Sequence, residues 1–294
     1  MQTKRKRKDK YLKTITFFGT TVAIGLTIAI ISYIFFQGVQ PLRQNNPYGT
    51  INIWQFITGT RWYPRLNIYG IFHMMLSTLV PTFWAVLLGI PFALGTAVFT
   101  ALFSPKRLQK IITFFIETLA GIPSVFYGIF AFMVILPIIN HHSTYPHGES
   151  LIAVIIVLAM MSYPTMCLIM ISTLKNVDSA YLASSLALGT SKRQTILFVL
   201  LPLAKKGLFA GAIMGVTRAM GETMAVVMVA GNRESGIDFN PFATVRLLTT
   251  NLMLEQSYAT ELHAQLLWTT AIVLLLFIGL INAVLYRIEK GGRK

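Results

Sequence analysis

Apolar residues along this chain come in separate blocks of about twenty or more, the length an α-helix needs to cross a bilayer core. Six blocks stand out, at about 15–36, 71–101, 111–139, 151–174, 207–230 and 265–288. Each predicts a transmembrane helix, and together they predict one all-α, multi-span domain. The second and third are long for a single crossing, which tilt or an interfacial extension accommodates. Pro81 and Pro91 in the second, and Pro123 and Pro137 in the third, remove helical hydrogen bonds and predict kinks. The first block, ITFFGTTVAIGLTIAIISYIFF, is longer than the apolar core of a secretory signal and lacks a small-x-small cleavage site, so it reads as a retained signal anchor.

Composition agrees with the pattern. Of 294 residues, 54% are hydrophobic and only 12% charged, and the mean hydropathy is +0.64, outside the range of a soluble domain. The formal charge of +15 could suggest nucleic acid, but its position argues otherwise. Nineteen Lys and Arg fall in the N-terminus, 102–110, 175–206 and the C-terminal end, against five in the alternate connections. By the positive-inside rule both termini are cytoplasmic, and no nucleic-acid partner is needed. The opposite face also carries Glu149, Glu234, Asp238, Glu255 and Glu261 and is near neutral. The single cysteine, Cys167, lies in an apolar block and reads as a small core residue. His141, His142 and His147 in HHSTYPHGES could hold a metal or form an ordinary polar turn; we expect the turn. No P-loop, dinucleotide fingerprint or hydrolase elbow occurs, and no cluster of His, Asp, Glu or Ser suggests an enzyme. The division expected is a basic N-terminus at 1–14, a first transmembrane helix with external loop at 15–70, a core at 71–288 and a cytoplasmic tail at 289–294.

The cytoplasmic connection at 175–206, KNVDSAYLASSLALGTSKRQTILFVLLPLAKK, is too apolar for a solvated loop. Asp178 or Ser179 can cap a short helix running to Leu188, Gly189 suits the left-handed residue that ends it, and Ser191 with Gln194 forms a capping-box pattern for a second helix stopped near Pro202. Tyr181, Leu182, Ser185, Leu186 and Leu188 give the first helix a largely apolar surface that needs a protein partner. Gly189, nine residues, Val199, one residue, then Leu201 and Pro202 resemble the E-A-A-x3-G-x9-I-x-L-P motif of ABC importer permeases. That resemblance implies a helix docking into a groove of a cytoplasmic ATPase. Ala183, Ser184 and Ser185 stand where Glu-Ala-Ala is expected, so the Glu and any salt bridge it would make are absent.

Further stretches, YGIFHMMLSTLVPTFWAVLLGIPFALGTA, ETLAGIPSVFYGIFA and above all RAMGETMAVVMVAGN, resemble the PstC family, one of the two permease families of high-affinity phosphate importers. The sister PstA family shares Gly-Glu-Thr, but Thr223–Val226 and Gly231–Asn232 favour PstC. The resemblance implies a type I importer permease fold with six transmembrane helices in the plasma membrane. It also implies a second permease, a cytoplasmic ATPase homodimer holding ATP and Mg, an external phosphate-binding protein, inorganic phosphate as cargo, and no cofactor on this chain. Permeases for phosphonate, molybdate or sulfate are the nearest alternative.

In GVTRAMGETMAVVMV, residues 215–229, two charges interrupt an apolar block, and the resemblance assigns both to the phosphate pathway. A charge at a helix centre costs about 2.5–3.5 kcal/mol on insertion scales, so neither Arg218 nor Glu222 is expected to face lipid. Gly207, Gly211 and Gly215 recur every fourth residue, and Arg218, Glu222, Ala225 and Val229 extend that face on a continuous helix. Arg218 offers a permanently charged planar fork suited to phosphate oxygens. Glu222 either pairs with Arg218 and tempers its field, or meets a cation of the second permease. Glu117 lies about one and a half turns from Lys110 and is placed at the interface, outside the core site.

Overall fold

The computed structural model describes residues 2–43, 46–143, 147–234, 236, 238 and 240–291. Residues 144–146 of the histidine-bearing turn and 292–294 of the expected tail lie outside that set. Among the described residues six stretches are long and apolar enough to cross a membrane: Lys13–Leu42, Phe72–Phe103, Ser124–His142, Leu151–Lys175, Lys192–Met220 and Glu261–Lys290. Six crossings put the two chain ends on the same face. Helix α1 (Gln2–Gly38) leads through a short cap, with α2 (Ile53–Thr58) and a hairpin of β1 (Trp62–Tyr63) and β2 (Ile68–Tyr69), into α3 (Phe72–Val98). Then come α4 (Lys106–Gly121), α5 (Ser124–Phe130), α6 (Leu136–His142) and α7 (Leu151–Lys175).

Helix α7 is the hub. Ser150 caps it by accepting from the Ala153 N–H at 3.3 Å, and α3, α4 and α10 (Leu201–Met220) pack around it. Over half of its most apolar window is buried inside the chain, whereas most of α1 is exposed apolar surface, as a lipid-facing helix requires. Helix α1 docks on α13 (Glu261–Gly291) through Gly38, whose carbonyl accepts from Thr269 Oγ1 at 2.8 Å.

Two expectations are corrected. The block at 111–139 is not one helix: it breaks at Ile122 and Pro123. Pro123 has no N–H and disfavours the helical region for the residue before it, and Ile122 is extended, with φ −65° and ψ 128°. Only Ser124–His142 is then long and apolar enough to cross; α4 is a separate helix that packs along α7. The prolines of α3, in contrast, leave it unbroken from Phe72 to Val98. Second, the helix after Ser191 does not stop near Pro202. A π-helical turn at Ile196–Leu200 joins α9 (Lys192–Thr195) to α10, placing Pro202 in the first turn of α10, where a missing N–H costs little.

A second, smaller core lies on the face opposite the termini. Phe56, Trp62, Tyr69 and Ile71 pack there with Met74, Leu248, Leu266 and Leu267. The hairpin sets Trp62 opposite Tyr69, and Asn67 turns the chain at φ +55°.

Candidate substrate path and coupling loop

Gly207, Gly211 and Gly215 face α7. A Cβ on Gly207 would run into the Thr173 side chain, one on Gly211 would lie 3.0 Å from Met170 Cγ, and one on Gly215 would lie 2.5 Å from Met166 Sδ. Ser162 Oγ also donates to the Gly215 carbonyl at 3.4 Å. Arg218 follows one turn later, in the last turn of α10. The Arg218 Nε is buried with no hydrogen-bond partner among the described residues, and the hydroxyl of Tyr127 lies nearby. That hydroxyl donates to the Leu119 carbonyl at 2.8 Å, bridging the break between α4 and α5.

The continuous face expected through Glu222, Ala225 and Val229 is not present. Helix α10 ends at Met220, and after Gly221–Thr223 a separate turn, α11 (Met224–Val227), begins. Glu222 therefore does not sit one turn above Arg218, and no ion pair joins the two among the described residues. Its Oε1 accepts instead from the Ala225 N–H at 3.2 Å, capping α11, and its carbonyl accepts from Thr249 Oγ1 at 2.8 Å. Thr249 belongs to α12 (Leu248–Glu255). On the other side Gly128 brings α5 against α11: a Cβ there would lie 2.9 Å from Ala225 Cα. Among the described residues no carboxylate is ion-paired with Arg218.

On the face that carries the termini α8 (Ser179–Ala187) is capped by Asp178, whose Oδ1 accepts from the Ala180 N–H at 2.9 Å. Gly189 follows at φ +85°, and Ser191 and Gln194 form the reciprocal capping box. Tyr181, Ala183, Ser184, Leu186 and Leu188 are exposed, and Asp178 and Tyr181 line a cleft of about 330 Å³ against Leu203 and Gly207. Val199 and Leu201 are half-buried and Pro202 exposed. Ser185, in contrast, is buried: its hydroxyl lies 2.8 Å from that of Thr190 and 3.0 Å from that of Thr195. This hydroxyl cluster ties α8 to α9, so the serine at the third position of the motif stitches the loop together.

One group carries no motif at all. Arg246 and Glu255, both buried, are ion-paired, and Glu255 Oε2 lies 3.3 Å from His263 Nε2. Burial raises the Glu255 pKa, but the neighbouring His263 and the Arg246 charge outweigh it and hold the carboxyl below the usual glutamate range. Only the presence of charges beside apolar blocks hinted at this triad.

This arrangement, six helices able to cross a membrane around a small-residue seam with an apolar-faced loop between the fourth and fifth, has counterparts. Residues 89–293 match the family described as "Binding-protein-dependent transport system inner membrane component", and the chain belongs to that family. It is a multi-pass inner-membrane permease subunit of the ABC importer class, a transport component rather than an enzyme, and such subunits work with an ATPase and permease partners. It is 32% identical over 271 residues to the probable ABC transporter permease protein YqgH of Bacillus subtilis (strain 168), covering 90% of this chain and 87% of that one. With the phosphate transport system permease protein PstC of Pasteurella multocida (strain Pm70) the identity is 29% over 266 residues, covering 81% and 82%. A solved structure of the MetNI methionine ABC transporter, inward facing, shares the fold with a TM-score of 0.57 at 17% identity, over 82% of this chain and 98% of that one.

Proposed function

We propose that this chain is the PstC-type permease of an ATP-driven inorganic phosphate importer. It forms the translocation path with a PstA-like second permease, rides on a PstB-like ATPase homodimer that holds ATP and Mg, and receives phosphate from a PstS-like external binding protein. The chain itself holds no cofactor. One observation carries the reading: Arg218, in the last turn of α10, has a buried Nε without a hydrogen-bond partner and no ion-paired carboxylate among the described residues. An uncompensated cation there is costly unless an anion visits it. A guanidinium offers phosphate two parallel N–H donors, which a lysine cannot. The names of relatives such as the Pasteurella protein support phosphate as that anion.

The test is radiolabelled uptake into membrane vesicles holding the complete complex. Arg218→Gln abolishes phosphate uptake with assembly intact, and Arg218→Lys impairs it because the fork is lost. Near-normal uptake by both variants overturns the reading, and uptake of sulfate or molybdate in place of phosphate reassigns the cargo.

A further inference from the structure

The junction between the two cores gathers polar side chains that neither the substrate path nor the coupling loop uses. Arg246 and Glu255 are ion-paired there, His263 Nε2 lies 3.3 Å from Glu255 Oε2, and the Trp62 ring stands 5.9 Å from that of His263. Asn251 precedes Glu255 by four residues on α12, so the two share one face of that helix. His73, at the start of α3, lies near Arg246. Trp62, His73, Arg246 and Asn251 are 0%, 1%, 3% and 0% exposed.

Hydrogen bonding sets this group apart. Six of its buried atoms have no partner among the described residues: Trp62 Nε1, both ring nitrogens of His73, Arg246 Nε, and both the oxygen and the nitrogen of the Asn251 amide. Loose construction is not the reason, because the same helix satisfies the polar groups around them. The Leu247 N–H donates to Thr250 Oγ1 at 3.0 Å, the Leu248 N–H to Thr78 Oγ1 at 3.1 Å, and Thr249 Oγ1 to the Glu222 carbonyl at 2.8 Å. A buried donor or acceptor left unpaired carries its full desolvation cost, and native interiors leave few such groups. Six in one place call for a guest.

The chemistry of the six atoms selects it. Arg246 already has its counter-charge in Glu255, so no bare charge calls for an ion. The unpaired atoms are of both kinds: Trp62 Nε1, Arg246 Nε and Asn251 Nδ2 donate, whereas Asn251 Oδ1 and the unprotonated nitrogen of an imidazole accept. An anion serves only the donors and a cation only the acceptors. Water serves both, and a buried water makes about three hydrogen bonds to groups that otherwise lack a partner. The two nitrogens of one imidazole point away from each other, so a single molecule does not reach both. We propose that the junction of α3, α12 and α13 is an internal water site, holding a small cluster of ordered waters against His73, Arg246 and Asn251. The two cores then meet across a hydrated joint and not along a dry seam.

X-ray radiolysis of the whole complex in nanodiscs tests this, because hydroxyl radicals form from bound water and oxidise the side chains beside it. Each rate is compared with that of the same residue in the denatured chain. Trp62 and His73 are oxidised although buried, whereas Phe56, also 0% exposed and with its ring 6.4 Å from that of Trp62, is protected. Protection of both Trp62 and His73, or equal oxidation of Phe56, overturns the proposal. Asn251→Leu and His73→Phe fill similar space without polar atoms. Each lowers the melting temperature of the complex by several degrees, and the double variant falls short of the sum because both remove the same waters. A dry site gives the opposite sign, since removing an unpaired amide or imidazole then stabilises, so a rise in melting temperature with either variant overturns the proposal. A wild-type melting temperature that climbs when chloride replaces gluconate at constant ionic strength marks a bound anion in place of water and overturns it as well.

Discussion

Arg218 and Glu222 lie four positions apart, the spacing of a helical ion pair, yet they do different work because Gly221 ends the helix between them. Glu222 is a capping residue held at both ends: its carboxylate takes the Ala225 N–H and its carbonyl takes the Thr249 hydroxyl. Glu222→Gln keeps an acceptor oxygen for the cap and leaves thermal stability near wild type. Glu222→Ala loses about 1 kcal/mol, the usual worth of an N-terminal cap. Thr249→Val strands a carbonyl and costs roughly 1–3 kcal/mol. Thermal unfolding of the detergent-solubilised complex reads all three, and equal losses for Gln and Ala would remove the capping role. The spacing suggested a pair; the local backbone, which no periodicity encodes, decided against it.

At the scale of elements, α8 and α9 meet at Gly189, whose φ of +85° costs a side-chain-bearing residue about 1–2 kcal/mol and a β-branched one more. A Cβ there meets nothing within 4 Å, so the penalty is purely one of backbone geometry. Gly189→Val therefore reorients α8 without disturbing the membrane core. The expected outcome is retained basal ATP hydrolysis by the complex, with loss of both stimulated hydrolysis and uptake. Normal stimulation and uptake by this variant would mean that the loop does not couple to the ATPase. This loop was largely legible in advance because capping is local chemistry: Asp178, Gly189, Ser191 and Gln194 each state their role within four residues. The crossing helices were legible for the same reason, as apolar length is counted along the chain. The breaks were not. Pro123 ends a helix while Pro81, Pro91 and Pro164 do not, and Pro202 falls inside one after a π-helical turn. Which proline breaks a helix depends on neighbours such as α7 and α11 that lie far off in sequence.

The whole molecule is two cores joined by the buried Arg246–Glu255 ion pair with His263 beside it: the membrane core around α7, and the cap of Phe56, Trp62 and Tyr69 over Leu248 and Leu266. Arg246 comes from the strand-like approach to α12, Glu255 from its end and His263 from the start of α13. One end of α12 thus holds the Glu222 carbonyl through Thr249 while the other carries Glu255. Removing the carboxylate leaves Arg246 buried without its counter-charge, so Glu255→Gln costs about 3–5 kcal/mol at neutral pH. Since the folded Glu255 carboxyl titrates below the ordinary glutamate range, its contribution is fully present above about pH 4.3, the unfolded value. It is lost as pH falls through the lower folded value. Wild-type and Glu255→Gln complexes should therefore differ by a constant interval in melting temperature from pH 7 down to about pH 5, and converge only in stronger acid. Melting of the two complexes across that range measures it. An interval that closes between pH 7 and pH 6, or that never closes in acid, would show that Glu255 does not hold the cap as a buried carboxylate stabilised by Arg246 and His263.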